Sequence, residues 1–402
     1  MTALSRTHPV PSSSAARRLL RALRAAAPAA APGLAAYAAV RLTGLLLLCA
    51  GAAWAGEDPL HRLNGRWDSV WYQRIAQNGY GFEARLPGGG VHPDLAFFPL
   101  LPALERLSAE ASPLGVADAG LLVAWVSSFG AAWGVYAVGA HVAGHRAGVL
   151  LAALWGALPT GFVQWMAYTE SLFTALAAWS LHAALTGRWR TAGVLAAVAG
   201  LCRPTAAALI AALGAAGAAH LAAGARGGAP VRALLRRHGR LLTGMLLAPL
   251  GWIAYLAYVG VREQSAFGYF HVQAAWGNHV DGGVALATFV LGLLTGPWPS
   301  PLGGAALCAT LGLVGLLLWL CVRRRLPLAL VTYACAVVAL SLVGSAYFGS
   351  RPRLMTPAFP LLLPLAVPMA HWPGRRCAAV VGVLALVSGA YGALALLGNG
   401  PP

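Results

Sequence analysis

Continuous apolar runs of about twenty residues recur along the chain, separated by short polar intervals, which is the pattern of membrane-spanning helices. A transmembrane β-barrel needs apolar and polar residues to alternate, and these runs do not. Spans are expected near 33–55, 118–140, 147–164, 168–186, 190–201, 204–223, 241–261, 302–321, 326–346, 354–370 and 377–397. The segment 190–201 is short for a crossing and also reads as re-entrant. The pattern predicts an all-α polytopic bundle of about 11 spans, within a range of about 9–12. One interval, 56–117, is the longest. Residues 33–397 then form a single membrane domain, and 1–32, rich in Arg, Ala, Ser and Pro, is expected to be a disordered basic terminus.

Composition excludes a large water-soluble domain. Only 10% of residues are charged, against roughly 25% in soluble proteins. All 28 basic residues are Arg, and Ala and Gly abound, which reads first as GC-rich coding. The net charge of +17 raises nucleic-acid binding. The arginines are scattered in short loops, however, as the positive-inside rule would place them. Cys49, Cys202, Cys308, Cys321, Cys335 and Cys377 lie in or beside apolar runs without a CxxC pair. They read as small hydrophobes, with neither a disulfide framework nor a metal site.

Arg6, Arg17, Arg18, Arg21 and Arg24 precede the first span and put the N-terminus in the cytoplasm. The Arg17-Arg18 pair hints at an export signal, but the following run is long enough to be an uncleaved anchor. With that orientation all eleven acids fall on or next to the external side. The interval 56–117 becomes a large first external loop. Arg62, Arg66, Arg74, Arg85, Arg106, Arg203, Arg262, Arg351 and Arg353 also lie outside, against the rule. Neighbouring acids, lipid head groups or the phosphate of a bound lipid would each account for them.

Candidate chemistry concentrates there. Asp68 follows Trp67 and opens an expected helix over 69–78 that Gly79 stops. It reads either as an N-cap or as a general base at the membrane surface. Trp67, Trp71, Tyr72 and Tyr80 suit an interfacial belt, and such rings also stack on sugars. Glu83 is a solvated loop carboxylate or a substrate contact. The stretch 87–94, PGGGVHPD, reads as a flexible insertion carrying His92 and Asp94. At 168–171, YTES, Thr169 is a candidate N-cap and Glu170 a first-turn acid or a site residue. Pro204 breaks a helix beside Arg203, and an arginine at membrane depth needs protein or a wet cavity around it. The external stretch 269–283 mixes rings with His271, Gln273, Asn278, His279 and Asp281, as sugar sites do; no third ligand completes a metal site. Arg351 and Arg353 flank Pro352 and predict a fork for a phosphate.

These motifs resemble the PIG-V group, the second mannosyltransferases of GPI-anchor assembly, and its bacterial relatives. The likeness rests on Trp67-Asp68, Ile75-Ala76, Gly79-Tyr80, Glu83, the run AFFPLLP at 96–102, YTESLF at 168–173 and the break at Arg203. A weaker match lies at 273–278. The chain departs from the eukaryotic pattern in having Trp71-Tyr72 where a His is usual, and in its glycine-rich insertion. The resemblance implies a GT-C fold and an inverting mannosyltransferase of the cytoplasmic (plasma) membrane. The sugar would come from polyprenyl-phosphate mannose and pass to a glycan, glycolipid or protein acceptor on the outer face. Asp68 would be the catalytic base and Arg351, Arg353 and Arg203 would hold the donor phosphate. Trp67, Tyr80, Glu83, Glu170, Gln273 and Asn278 would bind substrate. No metal or other cofactor is implied, and membrane lipids are the only further partners. The alternative reading is a transporter or flippase of a lipid-linked sugar or other solute. It has no acid at a span centre to couple to an ion.

Overall fold

The computed structural model describes residues 13–85, 89–226, 236–345, 348–398 and 400. They form an almost wholly helical bundle with one two-stranded hairpin. Among the described residues six helices are long and apolar enough to cross a membrane: Ala27–Ala55, Val116–Ala143, Ala206–Arg226, Gly239–Arg262, Ser300–Arg323 and Gly374–Leu397. The other five expected spans fall on shorter elements, among them His145–Gly156, Thr169–Leu185, Trp189–Gly200 and Leu328–Leu342. Breaks at Pro159, Pro204 and Pro360 explain part of the shortening, because proline cannot continue a helical hydrogen-bond ladder.

The first helix runs from Ser13 to Ala55. It begins inside the segment 1–32 expected to be disordered, in a stretch where Ala, Leu and Arg favour helix; residues 1–12 lie outside the described residues. This helix packs on Gly374–Leu397, so the first and last described helices meet. The core gathers Tyr37, Leu151, Trp155, Phe173, Tyr333 and Phe359, each fully buried or nearly so. Small residues set how closely the helices approach. A Cβ on Gly193 would collide with the Gly244 carbonyl, and one on Gly251 with the Ala197 carbonyl. Without a hydrophobic force between helices in lipid, such close backbone contact is what holds them. Here glycine has a structural use that base composition alone does not explain.

The long first loop is folded. Helices Pro59–Asn64, Asp68–Asn78 and Leu100–Glu110 flank a hairpin of Glu83–Arg85 and Val91–Pro93, paired Glu83 with Pro93 and Ala84 with His92. The insertion expected to be flexible thus has order from residue 89 onward. Asp94 causes much of it. Its buried carboxylate accepts from the Gly81 and Phe82 amides at 3.0 and 2.9 Å.

Candidate active site

Asp68 is the first residue of its helix and does not cap it; the capping position is Trp67, which makes no side-chain cap bond. Trp67 has φ +54°. A bulky residue in that region costs on the order of 1–3 kcal/mol and persists only where its surroundings fix it. The surroundings are on both sides. The Arg66 guanidinium lies 4.1 Å from the Trp67 ring centre and donates to the Leu396 and Gly398 carbonyls. The Asp68 amide donates to the Tyr168 hydroxyl at 3.3 Å. Gly79 ends the helix at φ +75°, as its position predicted.

The Asp68 side chain pairs with Arg353, Oδ2 to Nη2 at 2.5 Å, across 285 positions of sequence. Burial disfavours the Arg353 charge, but the adjacent Asp68 carboxylate, helped by Glu170, outweighs it. The guanidinium pKa is held above its ordinary value. A second pair is deeper: Arg203 Nη1 lies 3.2 Å from Glu170 Oε1, with both side chains under a tenth exposed. Thr169 does not cap its helix either; Tyr168 holds that position and Thr169 Oγ1 meets the Tyr72 hydroxyl at 3.4 Å.

Both pairs line one cavity of about 330 Å³. Of the predicted residues, Asp68, Arg353, Arg203, Trp67, Glu170, Gln273 and Asn278 all border it, drawn from five separate stretches of chain. Its two acids and two arginines leave donors over. Nε and Nη1 of Arg203 and Nε and Nη1 of Arg353 are buried without a hydrogen-bond partner among the described residues. The Arg203 Nη1 contact to Glu170 has ion-pair distance but not hydrogen-bond alignment. Both arginines border the cavity, and a turn of either guanidinium toward it would make of these buried donors a cradle for an anion with several acceptor oxygens.

Arg351 is not part of it. Its Nη1 and Nη2 donate to the Leu342 and Gly344 carbonyls at 3.1 and 2.6 Å. Arg351–Leu354 is a single helical turn. Residues two apart on a helix point about 160° apart, so a fork through Pro352 cannot converge. Tyr80 also stays outside the cavity: its hydroxyl donates to the Phe97 carbonyl at 2.8 Å and its ring sits by Tyr255 and Tyr258. Glu83 is exposed on the hairpin. The sequence reading had not assigned Tyr72, Tyr168, Ser350 or Trp276 to the site, though all border the cavity. Tyr168 stood in the YTES motif and Trp276 between Gln273 and Asn278, so adjacency was the available signal.

Beyond the Arg351–Leu354 turn lies a second cavity of about 310 Å³ with an almost wholly apolar lining, including Leu307, Val314, Leu317, Met355 and Phe359. Arg353 and Leu354 face the polar cavity, whereas Arg351, Pro352 and Met355 face the apolar one.

No family model and no curated protein matches the chain. Among solved structures it is similar to ArnT from Cupriavidus metallidurans bound to undecaprenyl phosphate. The TM-score is 0.51 at 15% identity, covering 86% of this chain and 61% of that one. It is also similar to the same protein in the apo state, with TM-score 0.48, 18% identity and coverage of 76% and 54%.

The fold is a GT-C-type membrane bundle.

The chain spans about three fifths of the length of that ArnT. Within the GT-C bundle the polar cavity lies where the first loop meets the ends of several helices.

Proposed function

We propose that the protein is an inverting membrane glycosyltransferase that takes a hexose from a polyprenyl phosphate. The carrying observation is that Arg203 and Arg353 border one cavity with Asp68 and hold four buried nitrogens without a hydrogen-bond partner among the described residues. A phosphodiester in that cradle would satisfy them. The neighbouring apolar cavity offers room for part of a prenyl chain, separated from the cradle by one helical turn. The ArnT to which the fold is similar was solved with undecaprenyl phosphate. The motif resemblance favours mannose as the sugar and a PIG-V-like enzyme, acting on the outer face of the cytoplasmic membrane.

In this reading the acceptor hydroxyl gives its proton to Asp68 while its oxygen bonds to the anomeric carbon from the face opposite the phosphate. The bond from that carbon to the phosphate oxygen breaks, its electron pair leaves with the phosphate, and configuration inverts. Arg203 and Arg353 stabilise the departing prenyl phosphate. Donor binding has a second effect. Arg353 holds Asp68 in the free protein, and a phosphate competes for the same guanidinium, loosening Asp68 for the acceptor.

The test is transfer of radiolabelled mannose from undecaprenyl-phosphate mannose by purified protein, supplied with a crude membrane-lipid and glycan extract, beside Asp68→Asn. Transfer that depends on Asp68 supports the reading. Full transfer by Asp68→Asn would overturn the base assignment. Movement of intact donor across a liposome membrane without its consumption would favour the transporter.

A further inference from the structure

We infer that Asn278 reads the donor sugar, presenting a hydrogen-bond acceptor to one hydroxyl of a neutral sugar, with its orientation fixed by Gln273. The inference rests on the donor reading above and deepens it. A backbone carbonyl can only accept, so the Gln273 atom facing the Ala96 carbonyl at 3.3 Å must be its amide nitrogen, Nε2. The same nitrogen reaches the Tyr269 hydroxyl at 2.8 Å. Gln273 Oε1 is then the atom left to accept, and it takes the Asn278 Nδ2 donor at 2.9 Å. The amide of Asn278 cannot flip without setting two carbonyl oxygens against each other. Its Oδ1 is thus committed as an acceptor on a residue that borders the cavity.

Trp276 borders the same cavity and is pinned: its Nε1 donates to the Pro93 carbonyl at 2.9 Å, and His92 stacks on it at 4.2 Å. An amide acceptor beside a fixed indole is a combination that grips the hydroxyls and C–H face of a sugar. Charge narrows the class. Glu170 is paired with Arg203, and Asp68, paired with Arg353 until donor phosphate loosens it, is then engaged by the acceptor hydroxyl, so neither carboxylate is left to take an ammonium on the donor. The sugar assigned here is uncharged and hydroxylated, not an amino sugar. Gln273 is a positioning residue that acts through Asn278.

The experiment is a binding titration of detergent-purified protein with undecaprenyl phosphate and with its mannosyl, glucosyl, galactosyl and amino-sugar esters. At least one neutral ester should bind more tightly than undecaprenyl phosphate, and the amino-sugar ester should not. Asn278→Leu and Gln273→Leu should each lose about tenfold in affinity for that neutral ester while undecaprenyl phosphate binding stays within about twofold, which also reports intact folding. The assignment is overturned if no neutral ester gains affinity, if Asn278→Leu keeps the gain, or if the amino-sugar ester binds best. Failure of wild-type protein to bind undecaprenyl phosphate at all would instead sink the donor reading, and this assignment with it.

Discussion

The two ion pairs of the cavity are chemically alike and physically different. Asp68–Arg353 joins the first loop to a single helical turn, and the Asp68 side chain is 31% exposed. Glu170–Arg203 joins the mouth of one helix to a proline-broken junction, and its side chains are 3% and 8% exposed. Water reaches the Asp68 carboxylate but hardly Arg353, whose side chain is 12% exposed, so that pair can open when a substrate brings an anion to take the place of Asp68 on the guanidinium. The second pair has no such substitute; parting it strands a charge in a poor solvent. One pair is therefore suited to chemistry and the other to holding a positive group in place.

The largest expected effect separates them by activity. Asp68→Asn should lower turnover by roughly 10²–10⁴-fold, as loss of a general base does, while the protein still unfolds cooperatively in a thermal assay because the asparagine amide oxygen can accept the same Arg353 Nη2 bond. Normal turnover in this variant would remove the contrast. The next effect is on stability. Glu170→Ala should destabilise the protein by about 3–5 kcal/mol by leaving Arg203 buried and unpaired. The double change Glu170→Ala with Arg203→Met should recover much of that in a thermal unfolding assay; no recovery would show that the pair is not what holds this junction.

A smaller effect sharpens the division between the arginines flanking Pro352. Arg353→Ala should weaken undecaprenyl phosphate binding by about 1.5–3 kcal/mol, the worth of a hydrogen bond to a charged group. Arg351→Ala, which loses two carbonyl contacts instead, should act chiefly on the melting temperature. A reversed order would move the phosphate to the other side of the turn. The smallest effect concerns Glu105 on the loop helix. It is fully buried, neither carboxyl oxygen has a hydrogen-bond partner among the described residues, and burial pushes its pKa well above the usual glutamate range. A raised folded pKa means the folded state holds the proton more tightly. Its stabilising contribution is complete below about pH 4.3, the unfolded value, and declines as pH rises toward the folded one. Glu105→Gln should flatten that part of the stability–pH curve, and an unchanged slope would show that another group causes it.

The sequence made some of this site legible and concealed the rest for definite reasons. Asp68 stood out because an acid after Trp67 opened a helix that Gly79 closed, and both signals are local. Arg203 stood out because Pro204 interrupts an apolar run. The choice between Arg351 and Arg353 was hidden, since it depends on the helical turn they share and on which cavity each side of it faces. Tyr80 and Glu83 carried the motif but face elsewhere: Tyr80 secures the Phe97 carbonyl, and Glu83 rides an exposed strand whose existence depends on pairing with Val91–Pro93. Tyr168 and Trp276 gave no sign of their own, because an aromatic ring beside a span is also what any membrane interface contains.

The amino-acid sequence by itself determined the membrane-helical class, the long first loop, the helix breaks and the types of side chain available for chemistry. Those follow from transfer free energies and from backbone rules that act over a few residues. Only the tertiary structure decided that Asp68 meets Arg353 across 285 positions, that Arg203 meets Glu170, and that Gln273 turns Asn278. Partner choice is a property of contacts between distant segments. A charge or an amide acquires its role from what burial leaves within reach, and nothing in its local sequence records that.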